Sequence, residues 1–206
     1  MRVIGLTGSI GMGKSTAVHL LRRMRVPVHD ADAAVHRLLG PGGPAVRAVG
    51  RAFPGVVRNG AVDRLKLGAK VFAPGSQRLL ERLEVVLHPL VSRETQRWLA
   101  TQARRRAPVV VLDVPLLYER TVPASYDSVV VVSASPTLQR QRVLRRPGMT
   151  TTKFADILAR QMPDGEKRRL ADATVIGALG YRTTGTGLRQ ALRRLRRRRA
   201  WRPGYR

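Results

Sequence analysis

Residues Gly8–Ser15 read G-S-I-G-M-G-K-S, and the apolar run V-I-G-L at residues 3–6 stands directly before them. The spacing G-x-x-x-x-G-K-S after a buried strand indicates a phosphate-binding loop that opens a helix. Such a loop aims backbone N–H groups and the positive end of the helix dipole at one point, where a polyphosphate fits. Lys14 would reach the β- and γ-phosphates, and the Ser15 hydroxyl can bind Mg²⁺, while Gly8 and Gly13 permit close backbone approach. This stretch therefore predicts a nucleotide-binding α/β fold.

The composition makes Lys14 stand out. Of 39 Lys and Arg residues only five are Lys, so Lys14 occurs against a strong preference for Arg. A compact ammonium group is what the loop can fold around, whereas the planar guanidinium of Arg is bulkier. The residue type at position 14 thus supports a phosphate-binding role.

Bulk composition narrows the class of protein further. A chain of 206 residues is long enough for one α/β core and too short for two large domains. It has no Cys and no apolar run of membrane-spanning length, so we expect a cytoplasmic protein without membrane contact. The net charge of +26 favours polyanionic partners. Nucleic-acid contact by the basic tail is conceivable, but a solvated helix end is favoured, and the oligomeric state stays unknown.

Two carboxylates follow the second predicted strand. The run V-P-V at residues 26–28 leads to Asp30 and Asp32, which places both at the carboxyl end of a strand. Open parallel sheets bind ligands at that edge, and Pro27 is tolerated in an edge strand. Since Asp32 also opens a predicted helix, a helix N-cap is the alternative interpretation of the pair.

Two further apolar runs predict central strands. Residues 109–112 and 129–132 are short, continuously apolar and rich in Val, as in parallel strands that are covered on both faces. Around them the pattern predicts a helical insertion at 33–106, a basic helix at 137–146, another helix at 153–162, a short strand near 174–176 and a C-terminal helix from about Gly187.

Longer motifs extend across nearly the whole chain. Gly5–Thr16 match G-L-T-G-x-I-G-x-G-K-S-T, Asp30–Asp32 match D-A-D at the end of the next strand, and Pro115–Glu119 match P-L-L-x-E. In this combination the chain resembles the dephospho-CoA kinase family. Further matches are Gly60–Arg64, Leu87–Leu90, Gln139 with Arg142, Ala159–Met162, and Ala171–Asp172.

The resemblance implies an architecture. The expected fold is a three-layer α/β P-loop kinase fold with a five-stranded parallel sheet, a helical substrate-binding insertion and a helical lid. The single kinase domain would comprise a nucleotide-binding core (about 1–32, 107–146 and 167–195), an acceptor-binding insertion (about 33–106), a lid (about 147–166) and a basic tail (about 196–206).

The resemblance also implies a reaction, the transfer of the γ-phosphoryl group of ATP to the 3′-hydroxyl of dephospho-CoA, which is the last step of coenzyme A synthesis. Asp32 would accept the hydroxyl proton, Lys14 and Arg142 would neutralise phosphoryl charge, and Ser15 would bind the Mg²⁺ cofactor. The nucleotide site would comprise Gly8, Gly11, Met12, Gly13, Lys14, Ser15, Thr16, Arg142 and Arg146, and the dephospho-CoA site Asp30, Asp32, His88, Pro115, Leu116, Leu117 and Glu119.

Several of these residues have a simpler interpretation. His88, beside Pro89, is predicted to be a buried hydrogen-bonding residue rather than a ligand, and residues 115–119 could be a plain exit from a strand. Arginines on a basic helix are usually solvated, so only the motif match singles out Arg142. Two other functions stay open, a nucleoside or nucleotide kinase and a nucleic-acid-binding module that uses a nucleotide site as a switch.

Overall fold

The structure is a computed structural model that describes residues 1–73, 75–119, 126–177 and 180–197. Its strands within those ranges are β1 (Arg2–Thr7), β2 (Val28–Asp30), β3 (Val57–Arg58), β4 (Ala61–Val62), β5 (Val109–Asp113), β6 (Ser128–Ser133) and β7 (Ala173–Ile176). Its helices there are α1 (Lys14–Arg23), α2 (Ala31–Leu39), α3 (Val46–Ala52), α4 (Arg64–Val71), α5 (Gln77–Arg104), α6 (Pro136–Leu144), α7 (Thr151–Ala159), α8 (Asp164–Leu170) and α9 (Gly180–Arg197).

A five-stranded sheet in the order β2-β5-β1-β6-β7 forms the centre of the α/β fold. Strand β1 pairs in parallel with β5 and with β6, and β6 pairs in parallel with β7. The prediction of a five-stranded parallel sheet is therefore confirmed, with the 109–112 and 129–132 runs on either side of β1. Strand β2 lies at the edge, as Pro27 indicated.

Helices α1 and α9 pack against the sheet because each presents an apolar stripe. Leu21 of α1 and Leu188 and Leu195 of α9 join Ile4 and Val175 of the strands in one buried cluster. Strand β5 is buried along its whole length, as expected of a strand covered on both faces. The rigid strands thereby fix where the loops at their carboxyl ends begin.

The chain divides into two compact units, of which the first, the sheet unit, comprises Met1–His29 and the chain from Gln102 onward. The second, the helical unit, is Asp30–Thr101, and it has its own apolar cluster around Val49, Val56 and Leu67. Asp63 is the N-cap of α4, and its side chain accepts hydrogen bonds from the N–H groups of Leu65 and Lys66, both at 3.1 Å.

Sequence patterns missed three features of the fold. The short helix α8 and the β3–β4 hairpin were not expected. A helix of seven residues and strands of two residues are too short to show a periodic pattern of apolar residues. The C-terminal helix begins at Gly180 rather than near Gly187. Gly185 and Gly187 lie inside α9 and face Leu20 and Val175 closely, so they serve helix packing instead of marking a boundary. The predicted tail lies, from residue 198, outside the described residues.

Within the described ranges, no helix has both the length and the apolar character needed to cross a bilayer.

Candidate active site

The phosphate-binding loop leaves β1 and enters α1 at Lys14. Gly13 caps this helix with φ 96°, a left-handed conformation that favours glycine. A Cβ at Gly13 would lie 3.0 Å from the carbonyl oxygen of Gly177, and one at Gly8 would lie 2.6 Å from that of Val132. A side chain at either position would therefore crowd the neighbouring backbone of the protein.

Other loop residues can reach a nucleotide in different ways. Met12 is only 2% exposed, and its Sδ accepts from the backbone N–H of Ala134 at 3.1 Å. Its side chain is therefore packed into the protein. Ser15 is exposed and Thr16 half-buried in the first turn of α1. The hydroxyl group of Ser15 is thus accessible to a ligand.

Lys14 is paired with an acidic residue that the sequence patterns did not assign to the site. Its Nζ donates to Oδ1 of Asp113 at 2.6 Å, and the Asp113 side chain is 7% exposed. Asp113 is the last residue of β5, in register with Leu6 of β1, just before the loop. The signal was the run V-V-V-L-D, because an apolar strand ending in Asp beside a phosphate loop is the usual source of a Mg²⁺-binding carboxylate.

The donor set near the loop suits a hard cation. A serine hydroxyl and an aspartate carboxylate are oxygen ligands of the kind Mg²⁺ takes, with phosphate oxygens and water completing its shell. In the described part of the chain, no cluster of three or more His, Cys, Asp or Glu could hold a metal by itself. Mg²⁺ is commonly bound by one or two carboxylates together with substrate phosphates, and this donor set is of that kind.

The structure distinguishes the arginines of α6 and the turn after it. Nη1 of Arg142 lies 3.4 Å from the carbonyl oxygen of Gly11, its acceptor, so this half-buried side chain lies against the phosphate loop. Arg146 and Arg140 are exposed. Of the three, Arg142 has the placement expected of a residue that contacts a bound nucleotide.

The 115–119 stretch is held firmly within the sheet unit. The Thr7 hydroxyl donates to the Pro115 carbonyl at 3.0 Å, and Cδ1 of Leu117 lies 2.7 Å from where a Cβ on Gly5 would stand. Oε1 of Glu119 lies 2.6 Å from Nζ of Lys167, whose side chain is fully buried. The predicted substrate residue Glu119 is thus engaged in a buried ion pair, while Leu116 is half-buried.

Burial also affects a neighbouring tyrosine. It raises the pKa of Tyr118 to about 12, and the negative charge of Asp172 adds to the effect. Tyr118 therefore stays neutral to a higher pH than an ordinary tyrosine.

The predicted acceptor residues of the helical unit have distinct placements. Asp30 caps α2, with Oδ1 accepting from the N–H of Ala33 at 2.9 Å, so the N-cap interpretation of the Asp30 and Asp32 pair is confirmed for Asp30. Asp32 lies in the first turn of α2 and is exposed. His88 is exposed on α5, which contradicts the expectation of a buried residue, because Pro89 continues the helix and leaves His88 on its outer face.

A cavity of about 640 Å³ adjoins the phosphate loop within the sheet unit. Ser9 and Met12 line it from the loop, Ser133 from the end of β6, and Asp164 and Arg168 from α8. The loop therefore opens onto space of a size that small-molecule ligands occupy.

A parallel sheet with a glycine-rich phosphate loop after its central strand, and a basic helix against that loop, defines a P-loop kinase. Comparison with known proteins gives the particular family. The family model for dephospho-CoA kinase matches residues 2–178. The chain belongs to the dephospho-CoA kinase family.

Individual relatives agree with this assignment. The chain is 58% identical over 168 residues to a dephospho-CoA kinase of Paramagnetospirillum magneticum, covering 82% of this chain and 78% of that protein. It is 54% identical over 195 residues to one of Rhodospirillum rubrum, covering 94% and 88%.

Solved structures support the fold. The Thermus thermophilus protein TT1252 superposes with a TM-score of 0.80 at 32% identity, covering 94% of this chain and 96% of that one. A Campylobacter jejuni dephospho-CoA kinase gives a TM-score of 0.62 at 17% identity, covering 94% and 97%, which supports the fold alone.

Proposed function

We infer that this chain phosphorylates dephospho-CoA with ATP in coenzyme A synthesis, as its family does, and that the acceptor group is the 3′-hydroxyl of the ribose. The observation that carries the inference is the phosphate loop with its Lys14–Asp113 pair and Arg142 beside it, in a chain that the family model matches over residues 2–178. Phosphoryl transfer requires charge neutralisation and positioning more than covalent chemistry. These residues supply both on the ATP side.

On binding, the triphosphate competes with Asp113 for Lys14. The ammonium group moves little, because its partner carboxylate ends the strand beside the loop. Loop amides and Lys14 then hold the β- and γ-phosphates, and Arg142, which already contacts the Gly11 carbonyl, supplies a second positive charge. Arg146, exposed just after α6, is a second candidate for phosphate contact.

Mg²⁺ is the proposed cofactor. The Ser15 hydroxyl and the Asp113 carboxylate would hold it, directly or through water, while it neutralises charge on the phosphate oxygens. Asp113→Asn should therefore raise the Mg²⁺ concentration needed for half-maximal turnover. The matched variant Asp127→Asn, elsewhere in the sheet unit, should leave the Mg²⁺ requirement unchanged.

Asp32 is the proposed general base. Its carboxylate is exposed in the first turn of α2, where it can take the proton of an acceptor hydroxyl, and Asp30 fixes the start of that helix. We also propose that His88, Pro115, Leu116 and Leu117 contact dephospho-CoA. Glu119 would then shape this pocket through its ion pair with Lys167.

A coupled ADP-release assay tests the function. ATP with dephospho-CoA should release ADP and give a product heavier by one phosphoryl group, as measured by mass spectrometry. Dephospho-CoA that lacks the 3′-hydroxyl should give no release above background. Release only with a nucleoside or nucleotide acceptor would contradict the proposal, and release with the 3′-deoxy compound would contradict the acceptor position.

The cellular location stays a prediction. We propose the cytoplasm, because ATP and dephospho-CoA are expected as the small-molecule partners and the chain has no Cys that would suggest an oxidising compartment.

A further inference from the structure

Two glutamines hold a single residue of the phosphate loop from opposite sides. The amide Nε2 of Gln139 on α6 donates to the carbonyl oxygen of Ile10 at 2.8 Å. The backbone N–H of Ile10 donates to Oε1 of Gln161, in the turn after α7, at 3.1 Å. Both polar groups of Ile10 are therefore bonded to side chains that come from outside the loop.

The chemistry of Ile10 fixes the orientation of both amides. A backbone carbonyl only accepts and a backbone N–H only donates, so Gln139 must act as donor and Gln161 as acceptor. Gln139 is also 6% exposed, which makes an unpaired amide there costly. The two glutamines are consequently not interchangeable.

Both glutamines come from positions that are themselves held. Gln139 lies one helical turn before Arg142, whose guanidinium reaches the adjacent loop carbonyl of Gly11. Gln161 precedes Met162, whose N–H donates to Oε1 of Glu119 at 2.9 Å, and the same oxygen pairs with buried Lys167. The contacts thus connect the loop to α6 and to the turn that precedes α8.

We propose that Gln139 and Gln161 are positioning residues that set the conformation of the phosphate loop before ATP binds. With the two peptide groups around Ile10 fixed, and the Met12 N–H bonded to the Ser9 carbonyl at 3.2 Å, the loop would present the N–H groups at the start of α1, those of Lys14 and Ser15, to the phosphates without further ordering. This role deepens the proposed function and rests on it. The loop holds the same phosphates in the ground state and in the transition state. Loss of the two glutamine contacts should therefore raise the KM for ATP and leave kcat unchanged.

Paired substitutions separate donor from acceptor. Gln161→Glu retains an acceptor for the Ile10 N–H, whereas Gln139→Glu places a carboxylate against the Ile10 carbonyl. Gln141→Glu, at an exposed position of α6, adds the same charge away from the loop and is the matched control. Gln139→Met and Gln161→Met remove each bond with little change of volume.

The readouts are KM and kcat with ATP, the dissociation constant for ATP measured without acceptor, and the midpoint of thermal unfolding. Each Met variant should raise KM and the dissociation constant about two- to tenfold, as the net contribution of one hydrogen bond predicts, with kcat within about twofold. Gln139→Glu should raise both constants by more than about tenfold, whereas Gln161→Glu should match Gln141→Glu. The double Met variant should raise the dissociation constant for ATP by less than the product of the two single fold-changes, because both bonds hold the same residue.

Two results would overturn the proposal. One is an equal loss of ATP affinity in Gln139→Glu and Gln161→Glu, and the other is a lowered unfolding midpoint in the Met variants with ATP affinity unchanged. Because ATP binding is measured without acceptor, failure of the dephospho-CoA assay would count against the proposed reaction and leave this test intact.

Discussion

The sheet unit and the helical unit present their polar residues differently. Around the phosphate loop, the side chains of Lys14, Gln139 and Arg142 are bonded to other protein groups before any ligand arrives. In the helical unit, Asp32 and His88 are exposed, and it is Asp30 rather than Asp32 that caps α2. The difference suggests that ATP binding depends on a preformed arrangement, while the chemistry at the acceptor depends on single accessible groups. Substitutions in the two units should therefore fail in different ways.

The largest expected effect on turnover is that of Asp32→Asn. Loss of a general base lowers kcat about 10²–10⁴-fold, and ATP affinity and folding stability should stay near normal because Asp32 is exposed. Steady-state kinetics, an ATP titration and thermal unfolding measure the three quantities.

The control for Asp32→Asn is Asp63→Asn, which keeps an N-cap acceptor on α4 of the same unit and should be close to wild type. Near-normal turnover in Asp32→Asn would remove Asp32 from the base role. A large loss of folding stability in Asp32→Asn would instead show that the Asp32 side chain is bonded to other protein groups, as the side chains around the phosphate loop are.

Next in size is the effect of Leu67→Ala on the helical unit. Leu67 is 4% exposed in the apolar cluster of this unit, so the truncation should lower the free energy of unfolding by about 2–5 kcal/mol. ATP affinity of the folded protein should not change, since Leu67 belongs to a cluster that contains no loop residue. Denaturant unfolding and an ATP titration test both statements.

Leu65→Ala is the matched control, because Leu65 is on the same helix but is 87% exposed. Its cost should stay within about 0.5 kcal/mol. A weakened ATP affinity in Leu67→Ala alone would show that the helical unit shapes the phosphate site after all.

Lys14→Ala should have a smaller effect than either. Loss of a charged hydrogen bond to phosphate weakens ATP binding by about 1.5–3 kcal/mol, roughly 10- to 150-fold, and leaves Asp113 without its Lys partner. Lys14→Arg should not restore binding, because the guanidinium does not fit where the compact ammonium does. Lys66→Ala, at an exposed position of the helical unit, is the control. ATP affinity unchanged in Lys14→Ala would contradict a preformed site.

Sequence alone was enough for most of the sheet unit, because its central strands β1, β5 and β6 are mostly buried and appear in the sequence as apolar runs. The phosphate loop was equally readable, since each glycine and Lys14 meets a separate geometric demand. The contacts made across the sequence were not readable. Asp113 belongs to the site only because β5 lies beside β1, and Gln139 and Gln161 reach Ile10 across more than a hundred residues. Likewise, the partner of Glu119 is buried Lys167, which sequence position does not reveal.

The smallest expected effect concerns alkaline pH and again separates the units. Burial raises the pKa of Tyr126, in the sheet unit, to about 12, above the usual value of 10.0. The unfolded chain therefore loses this proton first, so the stabilisation is present below about pH 10 and is lost as the pH rises towards 12. Tyr126→Phe should flatten the fall of unfolding free energy over that interval, whereas Tyr181→Phe, at a ring that is 59% exposed, should not. If the unfolding free energy fell equally steeply with pH in both variants, the ring of Tyr126 would be solvated. The packing of Tyr126 against Gly5 would then be looser than the structure indicates.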